Sequence, residues 1–235
     1  MSLNGMIFAA GLGTRLQPLT NDRPKALVEY KGKMLLQHVI EKMKEVHVDR
    51  LVINVHHYAD QVEAFLREHD YFGMDIRISD ERACLLDTGG GLLKAKDLFL
   101  PGHPVLIHNV DIRSDLSLAA LIEQHTRLQQ YATLVVQPTM NDRVLRFSPE
   151  GYLSGWENTK TGEQKVANES FHVSDRFHFC GIQLLSYHYI ENITREGVFS
   201  IIDEHLAQAR CHPIAAYVHD GISVDLGTLQ ALEER

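Results

Sequence analysis

The chain has 235 residues, of which 44% are hydrophobic and 23% are charged, and its formal net charge is −8. This composition is typical of a globular protein, and the length allows a core that needs no disulfides or metal to fold. An acidic chain without a run of Lys or Arg excludes a typical nucleic-acid-binding protein. The three cysteines include no Cys-x-x-Cys pair, and no apolar stretch approaches the ~20 residues of a membrane span. We therefore expect a cytoplasmic protein that binds neither nucleic acid nor membranes.

The first part of the chain alternates short apolar runs, which predict buried strands, with amphipathic segments, which predict helices. Strands are predicted over residues 6–10, 51–55, 75–79, 105–108 and 133–137, and helices over residues 35–46, 59–67, 91–95 and 118–130. This alternation is the signature of a parallel sheet covered by helices on both faces.

After residue 142 the pattern changes to strand-like segments. Residues 143–147 and 152–156 predict a hairpin, because Pro149, Glu150 and Gly151 lie between them. Further along, a strand is predicted over residues 177–185, a helix over 200–209 and a strand over 214–218. We therefore expect one continuous α/β domain with a mixed, mainly parallel central sheet, flanking helices and a β-rich insertion in the second half.

A glycine-rich loop from Gly11 to Arg15 follows the first predicted strand. Glycines at the carboxyl end of a strand allow backbone N–H groups to approach phosphates closely. Lys25 lies about ten residues after Arg15, and Pro18 and Pro24 stiffen the segment between them. A guanidinium and an ammonium group on one rigid loop, beside exposed N–H groups, are suited to bind phosphates.

The residues alone leave other interpretations of this loop open. A dinucleotide-binding fold requires a small residue where Leu16 stands and an acidic residue at the end of the second strand, and both are missing. A P-loop requires a Gly-Lys-Ser or Gly-Lys-Thr segment, which is also missing. A tight turn that binds no ligand, with Arg15 and Lys25 as solvated surface charges, stays an alternative.

Two aspartates are candidate metal ligands. Asp111 follows a predicted parallel strand, and Asp225 lies in the segment Val224–Thr228 near the end of the chain. Two carboxylates from distant segments would suit Mg²⁺, which prefers a few carboxylates together with substrate phosphates. By pattern alone, each aspartate also fits a turn or a helix cap, and Asp225 could cap a last helix.

Three segments together resemble the signature of the sugar-1-phosphate nucleotidyltransferases. They are Ala9–Leu16, Pro18–Thr20 and Arg23–Val28. The resemblance implies a Rossmann-like, GT-A-like nucleotidyltransferase fold over residues 1–235. It also implies the Mg²⁺-dependent transfer of a nucleoside monophosphate from a nucleoside triphosphate to a sugar 1-phosphate, with release of pyrophosphate. In that case residues 1–135 bind the nucleotide, and residues 136–235 bind the sugar phosphate and supply the second metal ligand.

The resemblance also implies roles for individual residues. Arg15 and Lys25 are the expected catalytic cations, and Asp111 and Asp225 are the expected Mg²⁺ ligands. Val110 stands where relatives usually carry a glycine. The residues expected to bind the nucleotide are Ala10, Gly11, Leu12, Gly13, Thr14, Asp87, Thr88, Gly89, Gly90 and Asn109.

The segment Leu86–Leu92 is a second glycine-rich turn, and its backbone is expected to hydrogen-bond the edge of a nucleobase. It resembles the Glu-Thr-Gly-Gly-Gly segment of uridylyltransferases that act on N-acetylmuramic acid 1-phosphate, and similar segments of mannose-1-phosphate guanylyltransferases. Asp87 stands where thymidylyltransferase relatives carry the glutamine that contacts the base. We expect UTP and a hexose or amino-sugar 1-phosphate as substrates, and a simple helix start is the alternative interpretation of the turn.

On the sugar side, Phe177–Ile182 resembles a strand of the family in which a glycine, here Gly181, admits the sugar phosphate. The Glu-Lys-Pro segment of many relatives is missing, and Lys160 and Lys165 are the candidates for its cation.

Two further functions stay open from the sequence. A phosphocholine-type cytidylyltransferase would need an aromatic cage for the quaternary ammonium group, and Trp156, Tyr152 and Phe179 are candidates for it. A non-catalytic nucleotide-sugar-binding regulatory protein would be favoured by loss of a metal-binding aspartate or of the lysine, and neither is lost. The sequence leaves the oligomeric state open, and an oligomer is possible.

Overall fold

A computed structural model describes residues 2–139 and 141–233 of the chain. The strands are β1 Asn4–Phe8, β2 Glu29–Tyr30, β3 Lys33–Met34, β4 Arg50–Val55, β5 Asp75–Asp80, β6 Val105–Asn109, β7 Ile112–Ser114, β8 Ala132–Pro138, β9 Arg143–Phe147, β10 Leu153–Asn158, β11 Gln164–Val166, β12 Asp175–Leu185, β13 Ile214–Val218 and β14 Ser223–Asp225. The α-helices are α1 Leu35–Glu45, α2 Ala59–Glu68, α3 Asp87–Ala95, α4 Leu118–Arg127, α5 Tyr187–Glu191, α6 Ile201–Gln208 and α7 Leu229–Glu233.

Four parallel strands form the centre of the main sheet, in the order β6-β1-β4-β5. Their side chains alternate between two hydrophobic clusters, one on each face of the sheet. Ile7 and Ile53 belong to the cluster that includes α1, whereas Met6 and Val52 belong to the cluster that includes residues of α3 and α6. Because both faces are covered, every residue of β1 is buried, including the polar Asn4 that precedes the apolar run.

Strand β12 is the point at which the sheet branches. Its first residues pair antiparallel with β9, and its last residues pair antiparallel with β6. Along its other edge it pairs with β8, which in turn pairs in parallel with β13. The register shifts between Phe179 and Gln183, where Gly181 adopts a φ of +69°. A bulge of this kind bends a strand, and on the amino-terminal side of it β12 pairs with β9, from which the sheet continues to β10 and β11.

The predicted fold class, a mixed central sheet with a parallel core, flanking helices and a β-rich second half, is confirmed. Some predicted boundaries differ. The first strand ends at Phe8 rather than Ala10, because the N–H group of Ala9 donates to the Asn54 side chain and no longer to the sheet. The helix α3 begins at Asp87, before the predicted start at Gly91. Among the described residues, no helix has the length and apolar character required to cross a membrane.

Two short strands that position the site were not predicted from the sequence. The three-residue strands β7 and β14 pair antiparallel and form a ribbon apart from the main sheet. In this ribbon Asp225 lies opposite Ile112. A three-residue strand is too short for its periodicity to be recognised, so the pattern gave no signal.

Candidate active site

A pocket of about 450 Å³ opens at the carboxyl ends of the parallel strands. In open α/β sheets this edge is where ligands bind. The pocket is lined by Phe8, Ala10, Gly11, Lys25, Asn54, Leu85, Asp87, Thr88, Asn109, Val110, Asp111 and Val198. Five of the ten residues expected to bind the nucleotide line this pocket, namely Ala10, Gly11, Asp87, Thr88 and Asn109.

The glycine-rich loop turns sharply at the mouth of the pocket. Gly13 adopts a φ of +67°, and a short 3₁₀ turn, Thr14–Leu16, follows it. A Cβ atom on Gly13 would lie 3.1 Å from the Cβ of Lys25, so the loop packs directly against the lysine. Among residues 2–139 and 141–233, no protein group accepts a hydrogen bond from the N–H groups of residues 10–13. These N–H groups are therefore available for an anion.

The two aspartates lie side by side although they are far apart in sequence. Asp111 follows β6, and the ribbon of β7 and β14 brings Asp225 back to it. The N–H group of Leu226 donates to the backbone oxygen of Asp111 at 2.8 Å, which fixes the second segment against the first. The structure thus places both expected metal ligands at one position.

Each aspartate pairs with one of the two expected catalytic cations. The Lys25 ammonium group donates to Oδ2 of Asp111, and Nη2 of Arg15 donates to Oδ2 of Asp225 at 3.1 Å. Gly227 lies between these groups: a Cβ atom there would be 2.6 Å from Arg15 Nη2, 2.6 Å from Asp225 Oδ1 and 3.0 Å from Lys25 Nζ. A side chain at position 227 would displace the charged ends of Arg15, Asp225 and Lys25, so a glycine there lets these three groups lie close together.

The environment moves the pKa values of the two carboxyl groups in opposite directions. Burial and the like charge of Asp225 raise the pKa of Asp111, although Lys25 opposes the change. Burial would also raise the pKa of Asp225, but the Gly227 N–H group at 2.7 Å, the Asp111 carboxyl and the charge of Arg15 outweigh it and lower that pKa. Adjacent carboxylates of this kind are stabilised by any further positive charge.

The donor set fits a magnesium ion. Among the described residues, no group of three or more His, Cys, Asp and Glu side chains could hold a metal, and Asp111 and Asp225 offer two neighbouring carboxylates. Mg²⁺ is typically held by one or two carboxylates and takes its other ligands from water and substrate phosphates.

At the other end of the pocket, Asp87 and Thr88 begin α3 and face the cavity. Gly89 and Gly90 do not line the cavity. Their N–H groups donate to the backbone oxygen of Phe199 at 2.9 and 3.2 Å, and a Cβ atom on Gly89 would overlap the Phe199 ring. The expected hydrogen bonds from these two N–H groups to a base edge therefore do not fit the structure, and the two glycines instead allow α3 to pack against the segment before α6.

Gly181 lies beside the segment that carries Asp111. A Cβ atom there would be 2.7 Å from Nδ2 of Asn109 and 2.9 Å from Cγ1 of Ile112, so the bulge of β12 packs against the segment that carries Asp111. Leu12, Gly13 and Thr14 border the pocket through the glycine loop without lining it.

Neither lysine proposed for the missing cation is in the pocket lining. Lys165 pairs with Asp203 at 2.7 Å and lies over the Trp156 ring, 5.3 Å from its centroid. The N–H group of Lys160 donates to the side chain of Asn158 in the turn that follows β10.

Sequence reasoning missed Asn54 and Glu81. Asn54 lines the pocket and accepts a hydrogen bond from the Ala9 N–H group at 2.7 Å, and its amide donates to Glu81 at 2.8 Å. The signal that could have revealed Asn54 is its position as a polar residue inside the apolar run Leu51–Val55.

Comparison with known proteins identifies the family of the chain. The Nucleotidyl transferase family model matches residues 4–147, which is more than half of the chain, and the chain belongs to that family. An N-acetylmuramate α-1-phosphate uridylyltransferase of Caulobacter vibrioides is 51% identical over 108 residues, which are 45% of this chain and only 44% of that relative. A protein of the same name from Neisseria meningitidis is 26% identical over 236 residues, covering 99% of this chain and 96% of the relative.

Solved structures share the fold. A putative glucose-1-phosphate thymidylyltransferase from Bacillus anthracis superimposes with a TM-score of 0.80 at 17% identity, covering 99% of this chain and 93% of that one. The family model confirms the resemblance found in the sequence, and the curated relatives are sugar-1-phosphate nucleotidyltransferases.

Proposed function

We propose that the protein transfers a nucleoside monophosphate from a nucleoside triphosphate to a sugar 1-phosphate and releases pyrophosphate. The supporting observation is the pairing of Lys25 with Asp111 and of Arg15 with Asp225, next to each other and beside the free N–H groups of the glycine loop. This arrangement offers two cations, backbone donors and two carboxylates at one point. Two polyanionic substrates and a divalent cation need that combination of groups.

The reaction requires little proton transfer. A phosphate oxygen of the sugar 1-phosphate attacks the α-phosphorus of the triphosphate, and the bond from that phosphorus to the pyrophosphate oxygen breaks. A phosphate monoester has a second pKa near ~6, so the nucleophile is mostly dianionic at neutral pH and needs no general base. The protein must instead hold two anions in line and stabilise the charge that develops.

Each group of the site has a task in this scheme. The N–H groups of residues 10–13 bind the triphosphate, and Lys25 and Arg15 stabilise negative charge on the transferring and leaving groups. Asp111 and Asp225 would hold Mg²⁺, which when bound neutralises charge between the two phosphates. Residues 1–135 contribute the nucleotide side of the site, and residues 136–235 contribute Gly181 on the sugar side together with Asp225.

The substrates proposed are UTP and an amino-sugar 1-phosphate such as N-acetylmuramate α-1-phosphate. Support comes from the two uridylyltransferases of that name, one of which aligns over 99% of the chain. The side chain of Asp87, on the wall of the pocket, is an acceptor suited to the N3–H group of uracil.

A panel assay tests the proposal. The protein is mixed with Mg²⁺, one of UTP, GTP, CTP or dTTP, and one of several acceptors: N-acetylmuramate, N-acetylglucosamine, glucose and mannose 1-phosphates and phosphocholine. Pyrophosphate release is measured, with chelator as the control. UTP with N-acetylmuramate 1-phosphate is expected to give the highest kcat/KM. A different preferred pair would refute the substrates but keep the reaction, and no release from any pair would refute the reaction.

The arrangement of aromatic residues weighs against phosphocholine as the acceptor. Trp156 and Phe179 pack against the hydrophobic cluster that includes Met6 and Val52, and Tyr152 is exposed. No ring contact joins any two of these three residues in the described part of the chain. A regulatory protein without activity is disfavoured because all four charged residues are present and in contact.

A further inference from the structure

Glu81 is a buried carboxylate that the proposed reaction does not use. It is 0% exposed and lies directly after β5. One oxygen accepts a hydrogen bond from Nδ2 of Asn54 at 2.8 Å, and the other accepts from the N–H group of Leu86 at 3.0 Å. Among the described residues, no Lys, Arg or His side chain forms an ion pair with it. A buried carboxylate is costly unless it is paired or hydrogen-bonded, so these two bonds hold it in place.

Asn54 connects Glu81 to the glycine loop. Its oxygen accepts from the N–H group of Ala9 at 2.7 Å, and its NH₂ group faces Glu81. The orientation of the amide follows, because only its oxygen can accept from an N–H group. Ala9 is the residue just after β1 and leads into the free N–H groups of residues 10–13. A movement of Asn54 therefore moves the start of the loop.

Glu81 connects the same network to the other wall of the pocket. Leu86 directly precedes Asp87 and Thr88, which line the pocket at the start of α3. The helix lies close above the network, because a Cβ atom on Gly91 would be 2.8 Å from Oε1 of Glu81 and 3.0 Å from Nδ2 of Asn54. Three hydrogen bonds thus join the loop on one side of the pocket to the helix start on the other.

We propose that Asn54 and Glu81 are positioning residues that fix the distance between the phosphate-binding loop and the wall formed by Asp87 and Thr88, and thereby set the affinity for the triphosphate. The inference rests on the proposed function, because it takes the loop as the triphosphate site and that wall as the base site. A displacement of about 1 Å in such a site can cost on the order of 10²-fold in rate.

The polarity of the network permits a reversal test. In Asn54→Asp alone, a carboxylate faces the carboxylate of Glu81. In Glu81→Gln alone, the new NH₂ group faces either the Asn54 NH₂ group or the Leu86 N–H group, so one hydrogen bond is lost. In the double variant, the new carboxylate at position 54 accepts from Ala9 and from the new amide at position 81, whose oxygen accepts from Leu86. All three hydrogen bonds are then restored with one of them reversed.

The experiment measures the dissociation constant for UTP by calorimetry, and the KM values for UTP and for the sugar 1-phosphate. If the panel identifies another preferred triphosphate, that triphosphate replaces UTP. Each single variant is expected to weaken UTP binding by roughly tenfold or more, as for the loss of one hydrogen bond to a charged group. The KM for the sugar 1-phosphate changes little, and the double variant returns to within about threefold of the wild type in UTP affinity.

Asn4→Asp is the matched control. Asn4 is also buried and also bridges two segments, accepting from Leu100 N–H at 2.7 Å and donating to the backbone oxygen of Leu100 at 3.0 Å, but it lies at the opposite end of β1. The Asn4→Asp variant is expected to have a lower thermal stability and an unchanged affinity for UTP. Gly91→Ala is an independent variant, because its new methyl group would displace the side chains of Asn54 and Glu81 without replacing either residue. It should also weaken UTP binding.

Single variants that fold and bind UTP as the wild type does would refute the positioning role, and so would a folded double variant that stays as weak as the singles. If a single variant does not fold, the double variant and Gly91→Ala decide the question. The role is supported if the double variant binds UTP nearly as the wild type does and Gly91→Ala binds it more weakly. Normal UTP binding by Gly91→Ala overturns the role. A wild-type protein that binds no triphosphate would refute the proposed function itself, which is a different result from normal binding in the variants.

Discussion

Lys25 and Asp111 form the most buried ion pair of the candidate active site, with side chains 12% and 13% exposed. Arg15 and Asp225 are more open, at 59% and 42%. Coulomb interactions are stronger where water is excluded, so Lys25 is expected to affect the transferring phosphate more than Arg15 does. Lys25 is therefore the first residue of the site to mutate.

We expect Lys25→Ala to lower kcat by roughly 10²–10³-fold, because one preorganised electrostatic contact to the transition state is removed. Pyrophosphate release under saturating substrates measures it. Lys33→Ala is the matched control, since Lys33 is exposed and pairs with Glu41 on the surface. Near-wild-type turnover of Lys25→Ala would mean that the glycine loop has been assigned to the wrong task.

At the scale of elements, the contact between α3 and the segment before α6 decides the shape of the base end of the pocket. Phe199 accepts hydrogen bonds from Gly89 and Gly90, and the Thr88 hydroxyl accepts from the N–H group of Ile201 at 2.9 Å. The glycines that the sequence suggested for base recognition thus have a packing role. A glycine motif shows that backbone must approach something closely, but not whether the neighbour is a ligand or another helix.

Gly89→Ala is expected to lower the free energy of unfolding by about 1–3 kcal/mol, because the new methyl group overlaps the Phe199 ring and lies 2.9 Å from its backbone oxygen. Urea unfolding followed by circular dichroism measures it. The sign is informative without a further control, since an alanine inside a helix normally stabilises by ~1 kcal/mol relative to glycine. A variant as stable as the wild type, or more stable, would show that α3 and this segment do not pack as described.

At the scale of the whole molecule, three buried histidines on different elements affect the response to acid. Burial lowers the pKa of His108 and of His125 to about 4 and that of His205 to about 3. The ordinary pKa of a histidine is 6.5, so the unfolded chain takes up protons between about pH 6.5 and pH 4 that the native protein does not. The neutral histidines therefore make their full contribution to the free energy of unfolding above pH 6.5. This contribution is lost as the pH falls toward 4.

We expect the free energy of unfolding to decrease between pH 7 and pH 5, with about 2 kcal/mol of the decrease due to each such histidine. His125→Gln keeps a polar group near the Thr133 hydroxyl, which lies 2.9 Å from the ring, and removes the titration. Urea unfolding at both pH values should show a smaller decrease in this variant than in the wild type. His172→Gln, at an exposed position, serves as the control, and an equal decrease in all three proteins would contradict the prediction.

Much of the fold was predictable because strands and helices carry local signals. The apolar run that begins at Met6 and the helical spacing of Leu36, Val39, Ile40 and Met43 are enough to identify β1 and α1. Boundaries were less predictable, since Ala9 leaves the sheet only because Asn54, which is distant in sequence, accepts its N–H group. The branching of the sheet at β12 depends on a bulge that periodicity does not register.

By itself, the sequence determined the order of strands and helices, the charged and glycine-rich segments, and through them the family. The tertiary structure alone decided that Asp225 lies beside Asp111, that Gly227 leaves space for the three charged groups around it, and that Asn54 and Glu81 join the two walls of the pocket. The physical reason is the range of the interactions. Helix and strand patterns repeat over a few neighbouring residues, whereas these contacts join segments whose separation along the chain is closed only when the sheet and its helices pack.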